Sequence, residues 1–200
     1  MILKNTIFTI GHSNYESDQF IKLLKDHSIN AVADVRQSPY SSYVPQFNRE
    51  NIRDTLVKNN IKYVFLGDLL GARPQDSHCY TDNYVDFSKL ANTSFFKEGI
   101  SRLVEGSKTL RIALMCAEKD PLTCHRTILV CKNLKQNNMN ILHILHDSTL
   151  EENADTEIRL LKEHKLQPNE LFRTPEEILE DAYQRQGKKM AAFNDDLEKG

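Results

Sequence analysis

Apolar positions along the first 145 residues alternate between two periods. Thr6-Ile7-Phe8-Thr9-Ile10 is a β-branched and aromatic run closed by Gly11, which predicts a first strand. Phe20, Leu23, Leu24 and His27 recur at helical spacing and predict a helix over 16–27, with Ser13 and Glu16 read as a capping box. Residues 31–35 predict a second strand. The stretch 37–47, with Pro39 and Pro45, predicts a loop, and Asn48 is placed to cap a helix carrying Ile52, Leu56 and Val57. Residues 63–66 predict a third strand, 67–83 a long polar loop, and 84–105 one or two helices with Phe87, Leu90, Phe96, Ile100 and Leu103 inward. Residues 110–115 and 141–145 predict strands four and five, separated by a helix marked by Ile128, Leu129, Cys131 and Leu134. Strands separated by helices imply an α/β fold: an open, mostly parallel sheet of about five strands flanked by helices. Beyond 150 the pattern is helical, with Pro175 opening a segment that carries Ile178, Leu179 and Tyr183. The expected organisation is an α/β domain over 1–148, a helical C-terminal extension packed on it over 149–190, and a flexible tail over 191–200.

Composition narrows this picture. A chain of 200 residues and 23.1 kDa is long enough to bury about 70% of its unfolded surface without a disulfide or metal staple. Lys and Arg number 26 against 28 Asp and Glu, a net charge of -2, which argues against a general polyanion binder. No uncharged apolar run approaches the ~18 residues of a membrane span. Lys4 and Asn5 break the apolar start, and the four cysteines follow no disulfide-scaffold spacing. The expected compartment is therefore the reducing cytoplasm, with free thiols.

Reactive residue types gather just past the carboxyl ends of the predicted strands, where open parallel sheets bind ligands. Gly11, His12 and Ser13 follow the first strand, and Asp34 and Arg36 end the second. Gly67 follows the third, and Cys116, Glu118, Cys124, His125 and Arg126 follow the fourth. A helix starting at Pro121 or Thr123 would place Cys124, His125 and Arg126 near its first turn. There, free N–H groups and a partial positive charge favour an anion and lower a thiol's pKa. A phosphatase loop would need Arg at 122, where Leu122 stands. No Gly-x-Gly-x-x-Gly follows the first strand, and there is no Walker loop, so no cofactor is named. Cys116, Cys124, His125 and His12 are zinc-ligand types, but two cysteines eight residues apart with no second close pair do not match a standard zinc spacing. The sequence therefore assigns no metal. Cys131 and His143 read as core residues, and Cys79 as a loop residue without a role.

Taken together, Thr9-Ile10-Gly11-His12-Ser13, Asp34-Val35-Arg36, Pro45-Gln46-Phe47-Asn48, Leu66-Gly67-Asp68-Leu69-Leu70-Gly71, Cys116-Ala117-Glu118 and Cys124-His125-Arg126 resemble the domain of unknown function 488 family. The resemblance spans about 6–147 and implies a cytoplasmic α/β domain. It supplies no reaction. It carries over Gly11, His12, Ser13, Asp34, Arg36, Gln46, Gly67, Glu118, Cys124, His125 and Arg126 as motif residues. The leading expectation is an enzyme acting on a small phosphorylated or nucleotide-like substrate. His12, Asp34, Glu118 and Cys124 are its catalytic candidates, with Cys124 either nucleophile or polar packing. Gly11, Ser13, Arg36, Gln46, Gly67, His125 and Arg126 are expected to bind the anion. Two alternatives stand beside it. One is a nucleic-acid module stacking bases on Tyr40, Tyr43 and Phe47 of the 36–49 loop. The other is a regulatory protein that binds a ligand without turnover.

Overall fold

The structure, a computed structural model, describes residues 5–82 and 84–198, with side chains as far as Ala191. The chain runs β1 (Thr6–Gly11), α1 (Ser17–Asp26), β2 (Ala31–Asp34), α2 (Arg49–Lys58), β3 (Lys62–Phe65) and the single turn α3 (Gly67–Leu70). A two-stranded hairpin follows, β4 (Tyr80–Thr81) and β5 (Tyr84–Val85), then α4 (Phe87–Asn92), α5 (Ser94–Ser107) and β6 (Ile112–Cys116). A 3₁₀ turn (Pro121–Thr123) and a π-helical segment (Arg126–Cys131) lead into α6 (Lys132–Gln136), β7 (Asn140–Ile144), β8 (Leu150–Glu152), α7 (Asn153–Glu163) and α8 (Pro175–Glu198). The fold is α/β. Its six-stranded sheet has the order β3-β2-β6-β1-β7-β8, parallel except for β8.

Alternation along the strands splits the core in two. Phe8, Ile10, Val32, Ala113 and Met115 face Phe20, Leu24, Ile52 and Leu56 of α1 and α2. Ile7, Ala33, Ile112 and Leu114 face Leu70, Leu90, Phe96, Ile100 and Leu129 on the other side. Both faces of the sheet are therefore covered, which is why its central strands read as continuous apolar runs. The C-terminal helices add a satellite cluster of Leu122, Ile128, Leu160, Ala182 and Tyr183. Among the described residues no helix is long and apolar enough to cross a membrane.

The structure differs from the expected elements at five places. A sixth strand, β8, pairs antiparallel with β7, too short and too exposed to show an apolar period. The 67–83 stretch is not all loop: it holds α3, a 3₁₀ turn at Ser77–Cys79 and β4, its partner β5 takes the start of the stretch expected to be helical from 84, and Cys79 is buried in the core. Ser13 does not cap α1. The N-cap is Glu16, with no side-chain bond, and Ser13 sits in the left-handed region at φ 46°. Asn48 is the N-cap of α2 and its carbonyl accepts from the Ile52 N–H, but its side chain makes no cap bond, because Oδ1 accepts from the Ser41 N–H inside the loop. Val57 on α2 is exposed. The helical backbone of α8 continues to Glu198, and the tail expected over 191–200 falls almost wholly outside the described side chains.

Candidate functional site

The sheet order places β6 between β2 and β1. The crossover after β1 runs through α1 to β2, and the crossover after β6 runs through α6 to β7, on opposite faces of the sheet. Chain connections from these adjacent strands thus lead to opposite faces of the sheet, the topology at whose carboxyl edge doubly wound folds bind ligands. The ladder is carried past its last strand pair, Gly11 with Cys116, by His12 N–H donating to the Cys116 carbonyl (2.9 Å) and Ser13 N–H to the Ala117 carbonyl (2.8 Å). Gly11 has a packing reason: a methyl group on it would overlap the Glu118 carbonyl. One on Gly67 would overlap the Arg36 carbonyl. The two glycines let the walls of the edge close on one another.

One wall is a buried network built on Asp34. Arg36 Nε donates to Asp34 Oδ1 (2.9 Å) and Nη2 to Asp34 Oδ2 (2.7 Å) and the Phe47 carbonyl (2.9 Å). The Tyr63 hydroxyl donates to Asp34 Oδ2 at 2.8 Å. His12 Nδ1 lies 2.8 Å from the Ser13 carbonyl and so carries the proton. Its Nε2 then accepts from Arg36 Nη1 at 3.0 Å. Burial, then the Arg36 charge, push the His12 pKa down to about 4, so the ring is neutral at pH 7. The Phe47 ring stacks on it with centroids 4.2 Å apart. Gln46 ties the same loop to the end of the β1 turn by donating to the Tyr15 carbonyl (2.9 Å). Phe47 thus closes the 36–49 loop over the core, while Tyr40 and Tyr43 stay exposed.

The other wall carries the sulfurs. Cys116 ends β6. Asp120 accepts from the Leu122 N–H and opens the turn over Pro121–Thr123, which doubles the chain back. The expected helix therefore does not begin at Pro121 or Thr123. Cys124 is extended (φ -128°, ψ 138°), and helical backbone resumes at His125 with a π-type segment, a form often found at functional sites. The first N–H groups of that segment serve Cys124 itself: Arg126 N–H donates to Cys124 Sγ (3.4 Å), and Thr127 and Ile128 N–H donate to its carbonyl.

His125 Nε2 lies 3.0 Å from the Val35 carbonyl, so Nε2 carries a proton and Nδ1 turns to the sulfurs. Nδ1 is 3.6 Å from Cys116 Sγ and 4.0 Å from Cys124 Sγ. The three donor atoms all lie within 4.8 Å of one another, and the three residues are buried. Of all the described residues, these form the cluster of soft ligands suited to a metal ion. Burial opposes ionisation of Cys124, but a hydrogen bond from the Cys116 thiol, the Arg126 charge and His125 hold its pKa well below the ordinary thiol value. Cys116 moves the opposite way, through burial and its neighbour Cys124. Glu118 is the exposed member of the group. Its carboxyl leans toward the sulfurs, and partial dehydration and Cys124 raise its pKa.

Arg126 is wholly buried. It donates through Nη1 to the Glu118 carbonyl (2.6 Å), through Nη2 to the Lys119 carbonyl (3.3 Å) and through Nε to the Thr9 hydroxyl (3.4 Å). Arg36 commits four of its five N–H donors, so both guanidiniums brace the walls and contribute charge more than open hydrogen-bonding forks. All the residues picked out at the strand ends converge on this one edge. Sequence reasoning missed two partners. Tyr63 carries no signal beyond its place in a strand. The Val35 carbonyl carries none at all. Cys116 was marked by its position at a strand end. His143 is a satisfied core histidine between Thr9 and Asn153, as read. A cavity of 1290 Å³ lies elsewhere, between α4, α5, α6 and α8, and none of the site residues line it.

A family model described as domain of unknown function DUF488 matches residues 16–132, more than half of the chain, from the loop before α1 into α6. No curated protein matches.

Proposed function

The chain belongs to the DUF488 family, a domain of unknown function, and from its site we propose an enzyme that acts on a small anionic substrate, phosphorylated or nucleotide-like, at the carboxyl edge of the sheet. The observation that carries this reading is the convergence of Cys116, Cys124, His125 and Glu118 on one point beside the His12–Arg36–Asp34 network. Groups perturbed by burial and by specific charged neighbours cluster at functional sites. Arg126, wholly buried and hydrogen-bonded to neutral oxygens, supplies the positive charge that would draw an anion, while the Arg36 charge is paired with Asp34. The Cys–His cluster is the reaction centre. Glu118, exposed and with a raised pKa, is the group fitted to carry a proton between substrate and water. His12, neutral and bonded at both nitrogens, positions Arg36.

The test is a thermal-shift panel of phosphate, sulfate, nucleosides and mono- and dinucleotides, followed by phosphorus NMR of whichever ligands shift the protein. A ligand at about 100 times its Kd adds roughly 2.7 kcal/mol, about 5–11 °C for a chain of this length. Glu118→Gln is expected to keep that shift and to lose turnover by at least ~100-fold. A panel with no response to any anion refutes the reading.

A second reading has one observation behind it: Tyr40 and Tyr43 are exposed, at 57% and 94%, on the loop that closes the site. They could stack on unpaired bases. Salt-sensitive binding of single-stranded oligonucleotides that is lost in Tyr43→Ala would favour it.

A further inference from the structure

We infer that Cys116, Cys124 and His125 form a binding site for one zinc-type divalent ion, with the fourth coordination position on the side of Glu118. This deepens the proposed reading of the site by naming the class of cofactor it takes. Zn–S bonds of about 2.3 Å and Zn–N bonds of about 2.0–2.1 Å in a tetrahedron set ligand-to-ligand distances near 3.6 Å for S···N and 3.8 Å for S···S. The observed S···N distances are 3.6 and 4.0 Å, and every pair of donor atoms lies within 4.8 Å. One face of the tetrahedron is therefore formed to within a few tenths of an ångström to an ångström before any ion arrives.

The surroundings match what a metal ligand set needs. The Val35 carbonyl fixes the His125 tautomer and presents Nδ1 to the sulfurs, the usual outer-shell bond of a ligating imidazole. The Arg126 backbone N–H donates to Cys124 Sγ, as a ligating thiolate requires of its neighbours. The formal charges of a divalent ion, two thiolates, the Glu118 carboxylate and the Arg126 guanidinium cancel, so the wholly buried arginine finds its counter-charge. Residues 117–119, next to Cys116 in the chain, are exposed. Three protein ligands with an open fourth position is the pattern of catalytic rather than structural zinc, where the ion acts as a Lewis acid or lowers the pKa of a bound water to about 7.

The test is titration of the metal-free full chain with Co(II), followed by displacement with Zn(II). The expected result is one ion per chain, with visible bands of tetrahedral Co(II) and an ultraviolet thiolate-to-cobalt charge-transfer band. Cys116→Ser and Cys124→Ser are each expected to weaken binding by at least ~100-fold, while Cys79→Ala, in the core away from the site, keeps it. Absence of a thiolate band, or folded serine variants that bind as the wild type does, overturns the inference. If the serine variants fail to fold, the wild-type stoichiometry and charge-transfer band decide alone. The two readings fail separately. An anion-induced thermal shift in protein that takes up no Co(II) removes the metal and leaves the enzyme. A Co(II) site in a protein that answers to no anion removes the proposed substrate and leaves the metal.

Discussion

Acidification to pH 5 should destabilise this protein through two rings that are buried without charge. His143, fully buried in β7, accepts from the Thr9 hydroxyl at Nδ1 and donates from Nε2 to Asn153 Oδ1. Burial, then the Arg126 charge, hold its pKa at about 3, and His12 is held at about 4. In the unfolded chain both rings take a proton near pH 6.5. Between that value and the native pKa the unfolded state binds more protons, so stability is full above about pH 6.5 and falls as the pH drops. At pH 5 each ring costs about 2 kcal/mol, since the unfolded ring is nearly all charged and the native one still neutral. The assay is urea unfolding at pH 7 and pH 5 and constant ionic strength, on wild type and on His143→Gln. Glutamine keeps a donor for Asn153 and an acceptor for Thr9 but cannot titrate. The wild type should lose about 2 kcal/mol more than the variant between the two pH values. Every other titrating group is common to the two proteins and cancels in that difference. Equal losses would refute the assignment of a neutral, proton-excluding His143.

Two further substitutions probe the walls of the site. Gly11→Ala places a methyl group on the Glu118 backbone carbonyl, which has no flexible side chain to give way; overpacking of this kind should cost about 1–3 kcal/mol, about 2–12 °C in Tm, and an unchanged melting curve would show that the edge is looser than its packing implies. Tyr63→Phe removes a hydroxyl bonded to the buried Asp34 carboxylate and should cost about 1.5–3 kcal/mol, measured by urea unfolding; a loss below about 0.5 kcal/mol would mean that Arg36 alone satisfies Asp34.

The parallel strands and the helices around them were legible because both faces of the sheet are covered. A buried strand in this setting is an apolar run that ends where its loop begins, and those ends were marked by Gly11, Asp34 and Cys116. What escaped has a physical reason in each case. β8 is three residues long and exposed or half-buried, so no apolar period could mark it. The hairpin over 80–85 and α3 are built from two- to four-residue pieces, shorter than any periodic signal. Ser13 looked like a cap by its spacing to Glu16. Whether a serine caps depends on its own φ, and at 46° its side chain turns to Asn14 instead of to the helix.

The site shows the same division between placement and partnership. Strand ends brought the right side chains to one edge, because a parallel sheet sends every loop there. Chain spacing argued against a metal because zinc-spacing rules describe ligands offered by one local knuckle. Here the strand end offers Cys116, and the 3₁₀ turn after Asp120 carries Cys124 and His125 back to it, so the eight intervening residues set no distance in space. The two arginines were expected to bind an anion, and nothing in the sequence marked them as donors to the chain's own carbonyls. Where loops diverge from a sheet edge, carbonyls are left without ladder partners, and each buried one needs a bond. Arg126 answers for those of Glu118 and Lys119 and Arg36 for that of Phe47. Their forks are turned inward to hold the walls, and the Arg36 charge is paired with Asp34. An anion at this edge would be selected by the centre it meets, more than by a guanidinium clamp.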